Sequence, residues 1–324
     1  MNDDSRQPAR QAGEDQVSPS VSSGLTEIAP SFEKLFPSTT CFEIDSAIVG
    51  ERFAVWVTVP ASYAPDDEPG LPVVYQIDEN LFFPATAPFH PTGEGDPMSP
   101  LVPFILVSVG YGERTSHEWT WLRVRDLLPP GETVPEIMYQ VMEYSIEAGL
   151  ISKADGDRYR EMFERPGADR FLRFLEDELH PRLTDKFRID GENVGIWGDS
   201  YGGLFTAYVA LKRSDLFKTV GSGSPGIIGE NSQIFELYRE ALASRQDFSA
   251  RRLHITLGSR ELTQPSIYQG ITARGTSELL AQTSMNPLPG LQVSSELIPL
   301  ETHLTGSVPA WFSFLRACYG RSPD

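Results

Sequence analysis

Short runs of apolar residues recur along the chain and predict β-strands. Residues 40–48 and 53–60 predict an antiparallel opening pair, and apolar and polar positions alternate regularly in the second run. Six later runs are almost continuously apolar and end in turn residues, which is typical of parallel strands covered on both faces. They span residues 72–78, 103–110, 193–198, 218–222, 252–258 and 291–300.

Segments with helical periodicity lie between these runs. In residues 169–179, Phe171, Leu175 and Leu179 recur every four positions, which places them on one apolar helix face. Further helices are predicted over residues 200–211 and about 308–319. Strands that alternate with helices, followed by a closing helix, predict an α/β fold with a mostly parallel central sheet flanked by helices.

Residues 131–165 have no strand pattern and predict a helical insertion made of two polar helices around residues 154–156. A stripe of apolar residues spaced by three and four marks the first helix; it comprises Val134, Ile137, Met138, Val141 and Met142. We expect the insertion to form a lid over the functional site, with its methionines as an adaptable wall for an apolar group. A helical hairpin packed on the flank of the domain, or in an oligomer contact, is the alternative.

Composition narrows the class of protein. The 324 residues include 27 Lys and Arg against 45 Asp and Glu, a net charge of −18, so a nucleic-acid backbone or an anionic bilayer would be repelled. No run reaches the length of a membrane span. Residues 1–30 are polar and predict a disordered tail, followed by a single domain over residues 31–324.

The two cysteines, Cys41 and Cys318, lie near opposite ends of the chain and form no disulfide framework. No Cys or His pair has the spacing of zinc ligands, so we expect no metal. The first residues lack the apolar segment of a secretory signal, and we therefore expect a cytoplasmic protein.

The motif Gly198-Asp-Ser-Tyr-Gly202 has the G-x-S-x-G pattern of a nucleophile elbow. It follows a predicted strand and precedes a predicted helix, which is the context that the elbow requires. The two glycines leave room for a tight turn that presents the Ser200 hydroxyl, and the helix N-terminus offers N–H groups where negative charge develops. A structural serine in a glycine-rich turn is the alternative.

A serine nucleophile needs a base, and chain order limits the choice among five histidines. In α/β-hydrolases the order is serine, acid, histidine, which leaves His254 and His303 after Ser200. His254 lies inside a predicted strand, where a structural role is expected. His303 follows the last strand, at the carboxyl edge of the sheet, and is the candidate base.

The orienting acid is predicted to be Glu261, which follows the strand at residues 252–258 and a short turn. A carboxylate at that position can accept the Nδ1 proton of the histidine and stabilise the imidazolium. Glu301, two residues from His303, is the rival. Asp199 adjoins the nucleophile and is expected to point elsewhere.

These residues resemble the putative-esterase family of α/β-hydrolases, the group of enterochelin-type siderophore esterases and esterase D-like enzymes. The resemblance spans about residues 40–318. Its motifs lie at residues 59–63, 71–78, 123–129, 167–175, 198–203 and 258–261, with the loop around His303. It implies an oxyanion hole formed by the backbone N–H groups of Tyr201 and of the residue after Asp78, which is Glu79.

Two positions depart from the family pattern. Asp199 stands where the group often has His, and Asp78-Glu79 stands where it often has Asp-Gly. A backbone donor survives any side chain, so the oxyanion hole is retained. If both carboxylates face the cleft, Glu79 and Asp199 would disfavour anionic substrates such as catecholate siderophore chelates.

The sequence therefore predicts a serine carboxylic-ester hydrolase with a small-molecule ester substrate and no cofactor. An acyltransferase or thioesterase with the same nucleophile is a second hypothesis. A catalytically degenerate hydrolase that acts as a binding module is a third. The oligomeric state stays open, and a homo-oligomer is compatible with the sequence.

Overall fold

A computed structural model describes residues 31–66, 69–114, 116–227, 229 and 231–321. The tail expected over residues 1–30 lies outside this part of the chain. Among the described helices, none has the length and apolarity needed to cross a membrane.

The described residues form one eight-stranded sheet in the order β1-β2-β4-β3-β5-β6-β7-β8. β2 pairs antiparallel with both β1 and β4, and the remaining neighbours are parallel. All eight predicted runs are strands, including the antiparallel opening pair. Their bounds are β1 Thr39–Ser46, β2 Glu51–Thr58, β3 Leu71–Ile77, β4 Ile105–Gly110, β5 Ile189–Asp199, β6 Thr219–Gly223, β7 Arg251–Gly258 and β8 Leu291–Ile298.

Helices connect the strands and cover both faces of the sheet. The described α-helices are α1 Phe32–Leu35, α2 Glu79–Thr86, α3 Ser116–Leu127, α4 Glu136–Glu147, α5 Lys153–Phe163, α6 Ala168–Arg173, α7 His180–Thr184, α8 Tyr201–Leu211, α9 Gln233–Ala243, α10 Ser259–Thr263, α11 Arg274–Met285 and α12 Ser307–Tyr319. A 3-10 segment spans Ala87–Gly95, and π-helical turns span Phe174–Leu179 and Gln269–Ala273.

The two faces of the sheet pack into two separate hydrophobic clusters. In β3, Tyr75 belongs to the larger cluster and its neighbour Val74 to the smaller one. Because alternate side chains of a strand point to opposite faces, a strand covered on both sides is apolar at nearly every position. This architecture, with its helical insertion, is the predicted α/β-hydrolase fold.

The helical insertion consists of α4 and α5, and its turn differs from the prediction. Residues 154–156 lie inside α5, whereas the chain reverses at residues 148–152, where Gly149 has φ +70°. Ser152 then caps α5 by accepting the N–H of Asp155. Gly156 has a different use, since a Cβ there would collide with the side chain of Ile146 on α4.

The insertion is packed into the domain. Met142 of α4 and Phe163 of α5 are buried in the larger hydrophobic cluster, and α5 packs along α3. Ile137, which the periodicity placed on the apolar stripe, is exposed. The function of the insertion as a lid stays a prediction.

Candidate active site

Ser200 lies in a strained turn between β5 and α8. It adopts φ 59° and ψ −118°, a backbone conformation that a residue other than glycine keeps only when its surroundings impose it. The surroundings do so: its N–H donates to the carbonyl of Gly223 at 2.9 Å, and its carbonyl accepts from the N–H of Gly226 at 3.1 Å. A Cβ at Gly198 would lie 2.5 Å from the carbonyl oxygen of Gly202, so the turn requires glycine at that position.

Ser200, His303 and Glu261 lie in one hydrogen-bonded line. His303 Nε2 is 3.0 Å from Ser200 Oγ, and His303 Nδ1 is 2.9 Å from Glu261 Oε2. Ser200 follows β5, Glu261 follows β7 and His303 follows β8. The carboxyl ends of these three strands meet at one edge of the parallel sheet. In this arrangement an imidazole can take a proton from the hydroxyl while the carboxylate fixes its tautomer and stabilises the positive ring.

The Glu261 carboxylate is buried, with several donors around it. Oε1 accepts from Ser224 Oγ at 2.6 Å and from the Gly258 N–H at 3.0 Å, and Oε2 accepts from Thr272 Oγ1 at 2.7 Å. Burial would raise the pKa of this carboxyl, but the hydrogen bonds from His303, Ser224 and Thr272 outweigh burial and hold the pKa below its usual value. The group is therefore kept ionised and fixed in orientation.

One face of the His303 ring is covered by Tyr268. The two rings are stacked with centroids 4.1 Å apart and an interplanar angle of 18°. Sequence reasoning missed Tyr268, Ser224 and Thr272. Only Ser224 had a signal, as a polar residue two positions after the strand predicted over residues 218–222. Thr272 lies in a π-helical turn and Tyr268 just before it, and both reach the site through the packing of that turn.

The two amides predicted to form an oxyanion hole belong to Tyr201 and Glu79, which begin α8 and α2. The first N–H groups of a helix have no carbonyl partner within that helix. Asp78, just before Glu79, has a left-handed conformation with φ 64°.

A buried ion pair holds Asp78 in place. Arg123 donates to its two carboxylate oxygens at 2.8 and 2.6 Å, and the Arg123 guanidinium lies 5.4 Å from the centre of the Tyr201 ring. Through Arg123 of α3, this pair links the turn after β3 to the start of α8.

Asp199 and Glu79 do not place free carboxylates in the cleft. They are 3% and 5% exposed, and Asp199 accepts a hydrogen bond from Ser307 at 2.9 Å. Burial raises the pKa of each carboxyl to about 7, so neither carries a full charge at neutral pH. The condition for their repelling anionic substrates is therefore not met.

The rival candidates lie apart from the hydrogen-bonded line. His254 is buried within β7, where Ser294 Oγ and Ser313 Oγ each lie 2.8 Å from one of its ring nitrogens. Both nitrogens are thus occupied, as a structural histidine requires. Glu301 contributes its backbone carbonyl, which accepts the N–H of Arg260 at 2.9 Å, while Glu261 occupies the Nδ1 side of His303.

The described part of the chain has no candidate metal site. No group of three or more His, Cys, Asp or Glu side chains there could hold a metal ion. Cys41 and Cys318 are both free thiols.

Comparison with known proteins places the chain in a family. It is 29% identical over 192 residues to the ferri-bacillibactin esterase BesA of Bacillus subtilis, covering 59% of each chain. It is 27% identical over 190 residues to the apo-salmochelin esterase of Escherichia coli, covering 59% of this chain and 51% of that protein. The matches thus span only between about half and three fifths of these relatives.

The fold is similar to that of a solved structure. The structure of the BES protein from Bacillus cereus superposes with a TM-score of 0.66 at 21% identity, covering 90% of this chain and 96% of that one. Residues 46–290, about three quarters of the chain, match the family described as "Putative esterase". The chain therefore belongs to the putative-esterase family of α/β-hydrolases.

Proposed function

We propose that the protein is a serine hydrolase of carboxylic esters. The observation that carries this proposal is the continuous line of hydrogen bonds from Ser200 through His303 to Glu261. Ser200 itself lies in the strained turn between β5 and α8. Membership of an esterase family supports it independently.

The geometry supports a two-step reaction. Ser200 Oγ attacks the ester carbonyl as its proton passes to His303 Nε2, and Glu261 stabilises the positive ring through Nδ1–H. The tetrahedral intermediate collapses, and the leaving alkoxide takes the proton from His303. Water, deprotonated by the same histidine, then attacks the acyl-serine. His303 returns that proton to Ser200 Oγ as the Oγ–acyl bond breaks and the carboxylic acid leaves.

The developing oxyanion is assigned to the backbone N–H groups of Tyr201 and Glu79. Both belong to the first turn of a helix, where an N–H has no carbonyl partner within that helix, and the ion pair between Arg123 and Asp78 fixes the turn that carries one of them. Preorganised donors of this kind stabilise charge only as it develops, which lowers the barrier rather than tightening ground-state binding.

For the substrate, we infer a chemical class of ester and not an individual compound. The relatives are named as esterases of ferri-bacillibactin and apo-salmochelin. The buried carboxyls of Asp199 and Glu79 carry less than a full charge at neutral pH, which weakens their repulsion of anionic substrates. A panel of aryl, alkyl, feruloyl and macrolactone esters tests the class. Assays with and without an added alcohol or thiol acceptor separate hydrolysis from acyl transfer.

The decisive test is replacement of the nucleophile and base. Ser200→Ala and His303→Ala should each lower kcat/KM for an active ester by about 10⁴-fold or more, because members of such a set act as a unit. Ser295→Ala, at an exposed position of β8, is the matched control and should keep the parent rate. A fluorophosphonate probe should label the parent and the control but not Ser200→Ala.

Two results would contradict the proposal. Full turnover by Ser200→Ala would show that another group performs the chemistry. Folded parent protein that neither labels nor hydrolyses any ester of the panel would favour the binding-module hypothesis.

A further inference from the structure

The helical insertion and α3 enclose an apolar cavity that the reaction described above does not use. Its volume is about 250 Å³. Its principal lining residues are Trp121 of α3, Met138, Val141 and Met142 of α4, and Tyr159 and Phe163 of α5.

The cavity adjoins the proposed site through Tyr159. This side chain lines the cavity and also interacts electrostatically with Arg123 and Asp78, the buried pair behind the Glu79 amide. Arg123 in turn lies over the ring of Tyr201, the residue after the nucleophile. Tyr159 and Arg123 thus connect the cavity to the two residues that carry the proposed oxyanion donors.

One of the lining residues has a polar atom without a partner in the described part of the chain. The indole N–H of Trp121 is buried, and no acceptor within the described residues reaches it. Burying such a donor without an acceptor costs on the order of 1–3 kcal/mol, so a ligand oxygen there would gain affinity. The rest of the wall is mainly aliphatic, aromatic and methionine side chains, which suit an uncharged group. Its other polar members are Thr120, Ser145 and Asp155.

We propose that this cavity binds the apolar part of the ester substrate, a group larger than a benzene ring that carries one hydrogen-bond acceptor for Trp121. The size follows from the volume, since a dry cavity of about 150 Å³ suffices for benzene. The identity of the ligand as substrate rests on the proposed esterase function. In this arrangement the insertion is a fixed wall of the binding site, because Met142 and Phe163 are anchored in the core.

Direct binding tests the cavity without catalysis. Ser200→Ala protein is titrated with 2-methoxynaphthalene and with 2-methylnaphthalene, which differ in one acceptor oxygen, and binding is followed by ligand-observed NMR. Both should bind saturably, and the methoxy compound should bind more tightly. Adding Trp121→Phe should weaken the methoxy compound by roughly 3- to 10-fold, the value of one hydrogen bond, and leave the methyl compound unchanged.

Filling the cavity tests its place in the reaction. Met138→Trp should raise KM for naphthyl esters at least tenfold and leave a simple acetate ester unchanged. Tyr144→Trp, at an exposed position of the same helix, is the matched control and should change neither. If the large side chain unfolds the insertion, as circular dichroism would show, Val141→Phe fills the same cavity with a smaller group.

Two ester series identify the part that is bound. An effect confined to 4-nitrophenyl 2-naphthoate against 4-nitrophenyl acetate assigns the cavity to the acyl group. An effect confined to 2-naphthyl acetate against methyl acetate assigns it to the alcohol.

The inference and the proposed function fail in different ways. No saturable binding to folded protein, or equal effects of Met138→Trp and Tyr144→Trp, would overturn the cavity as a ligand site. Binding without any effect on ester kinetics would overturn its assignment to the substrate. Saturable binding by a protein that hydrolyses no ester would refute the esterase function and its substrate, while the cavity itself would stand.

Discussion

At the scale of single residues, the environment of Glu261 separates it from Glu301. Glu261 accepts hydrogen bonds from Ser224, the Gly258 N–H and Thr272 besides its contact with His303. These donors can orient a carboxylate far better than solvent can. Glu301 is held through its backbone carbonyl.

We predict that Glu261→Gln lowers kcat for an active ester by roughly 10²- to 10⁴-fold, less than Ser200→Ala, because the acid orients and stabilises the base but forms no bond to substrate. Glu301→Gln should change kcat by less than about threefold, because the Glu301 side chain forms no hydrogen bond with the His303 ring and can act on the transition state only through its more distant charge. Steady-state kinetics on both variants makes the comparison. A larger loss in Glu301→Gln would move the role of the acid to that residue.

At the scale of elements, the site depends on how closely α8 approaches the end of β6. A Cβ at Gly203 would collide with the carbonyl oxygen of Gly223 and lie 3.0 Å from the Cα of Pro225. The same Gly223 carbonyl accepts the N–H of Ser200. The helix can therefore hold Ser200 at this distance from β6 only because Gly203 has no side chain.

We expect Gly203→Ala to lower the free energy of unfolding by about 1–3 kcal/mol, the usual cost of overpacking, and to lower kcat as the elbow shifts. Gly270→Ala is the control, because a Cβ there meets no heavy atom within 4 Å. Urea unfolding and ester kinetics are measured on both. Parent-like stability in Gly203→Ala would show that α8 can move away from the sheet without cost.

The insertion is likewise an element of the core. Removing residues 131–165 would take Met142 and Phe163 out of the core, together with the buried carboxylate of Glu132, which accepts from Ser232 Oγ and the Gln233 N–H at 3.0 Å each. Loss of activity after deletion would then report unfolding as much as loss of a lid. Point substitutions in the cavity wall are the cleaner experiment.

At the scale of the whole molecule, several buried carboxyls couple folding to pH. Burial raises the pKa of Glu79, Glu132 and Asp199 to about 7 each. Between about pH 4.5 and 7 the unfolded chain has released these protons and the native protein retains them, so stability falls as pH rises through that window. Glu261, whose pKa is lowered, acts in the opposite sense at more acidic pH.

We predict that Glu132→Gln flattens this dependence. The variant should match the parent near pH 5 and exceed its unfolding free energy near pH 7.5, with a difference in slope of at most about 1.4 kcal/mol per pH unit. Glu132 lies outside the proposed site, and its Oε1 has no partner among the described residues, so the amide introduces no lost hydrogen bond there. Urea unfolding at a series of pH values is the measurement.

The exposed Glu147→Gln is the control and should leave the slope as in the parent. If the Glu132→Gln and parent curves stayed parallel from pH 5 to 7.5, the Glu132 carboxyl would not be the group that couples folding to pH.

Local patterns determined much of this protein. Continuous apolar runs fixed the strands because a strand covered on both faces needs apolar residues at successive positions, as Val74 and Tyr75 show. The elbow motif and the chain order of α/β-hydrolases singled out Ser200 and His303, and a strand-end position singled out Glu261. In the structure, these three side chains meet at hydrogen-bonding distance.

Contacts between distant segments decided the rest. Tyr268 stacks on His303, and Arg123 pairs with Asp78. Each contact joins residues far apart in the sequence, so no spacing pattern of the sequence predicts it. The turn of the insertion was misplaced because a glycine that permits helices to approach closely, Gly156, has the same local signature as one that ends a helix. The burial of Asp199, its raised pKa and the cavity beside Trp121 depend on what surrounds each group, and only the tertiary packing supplies those surroundings.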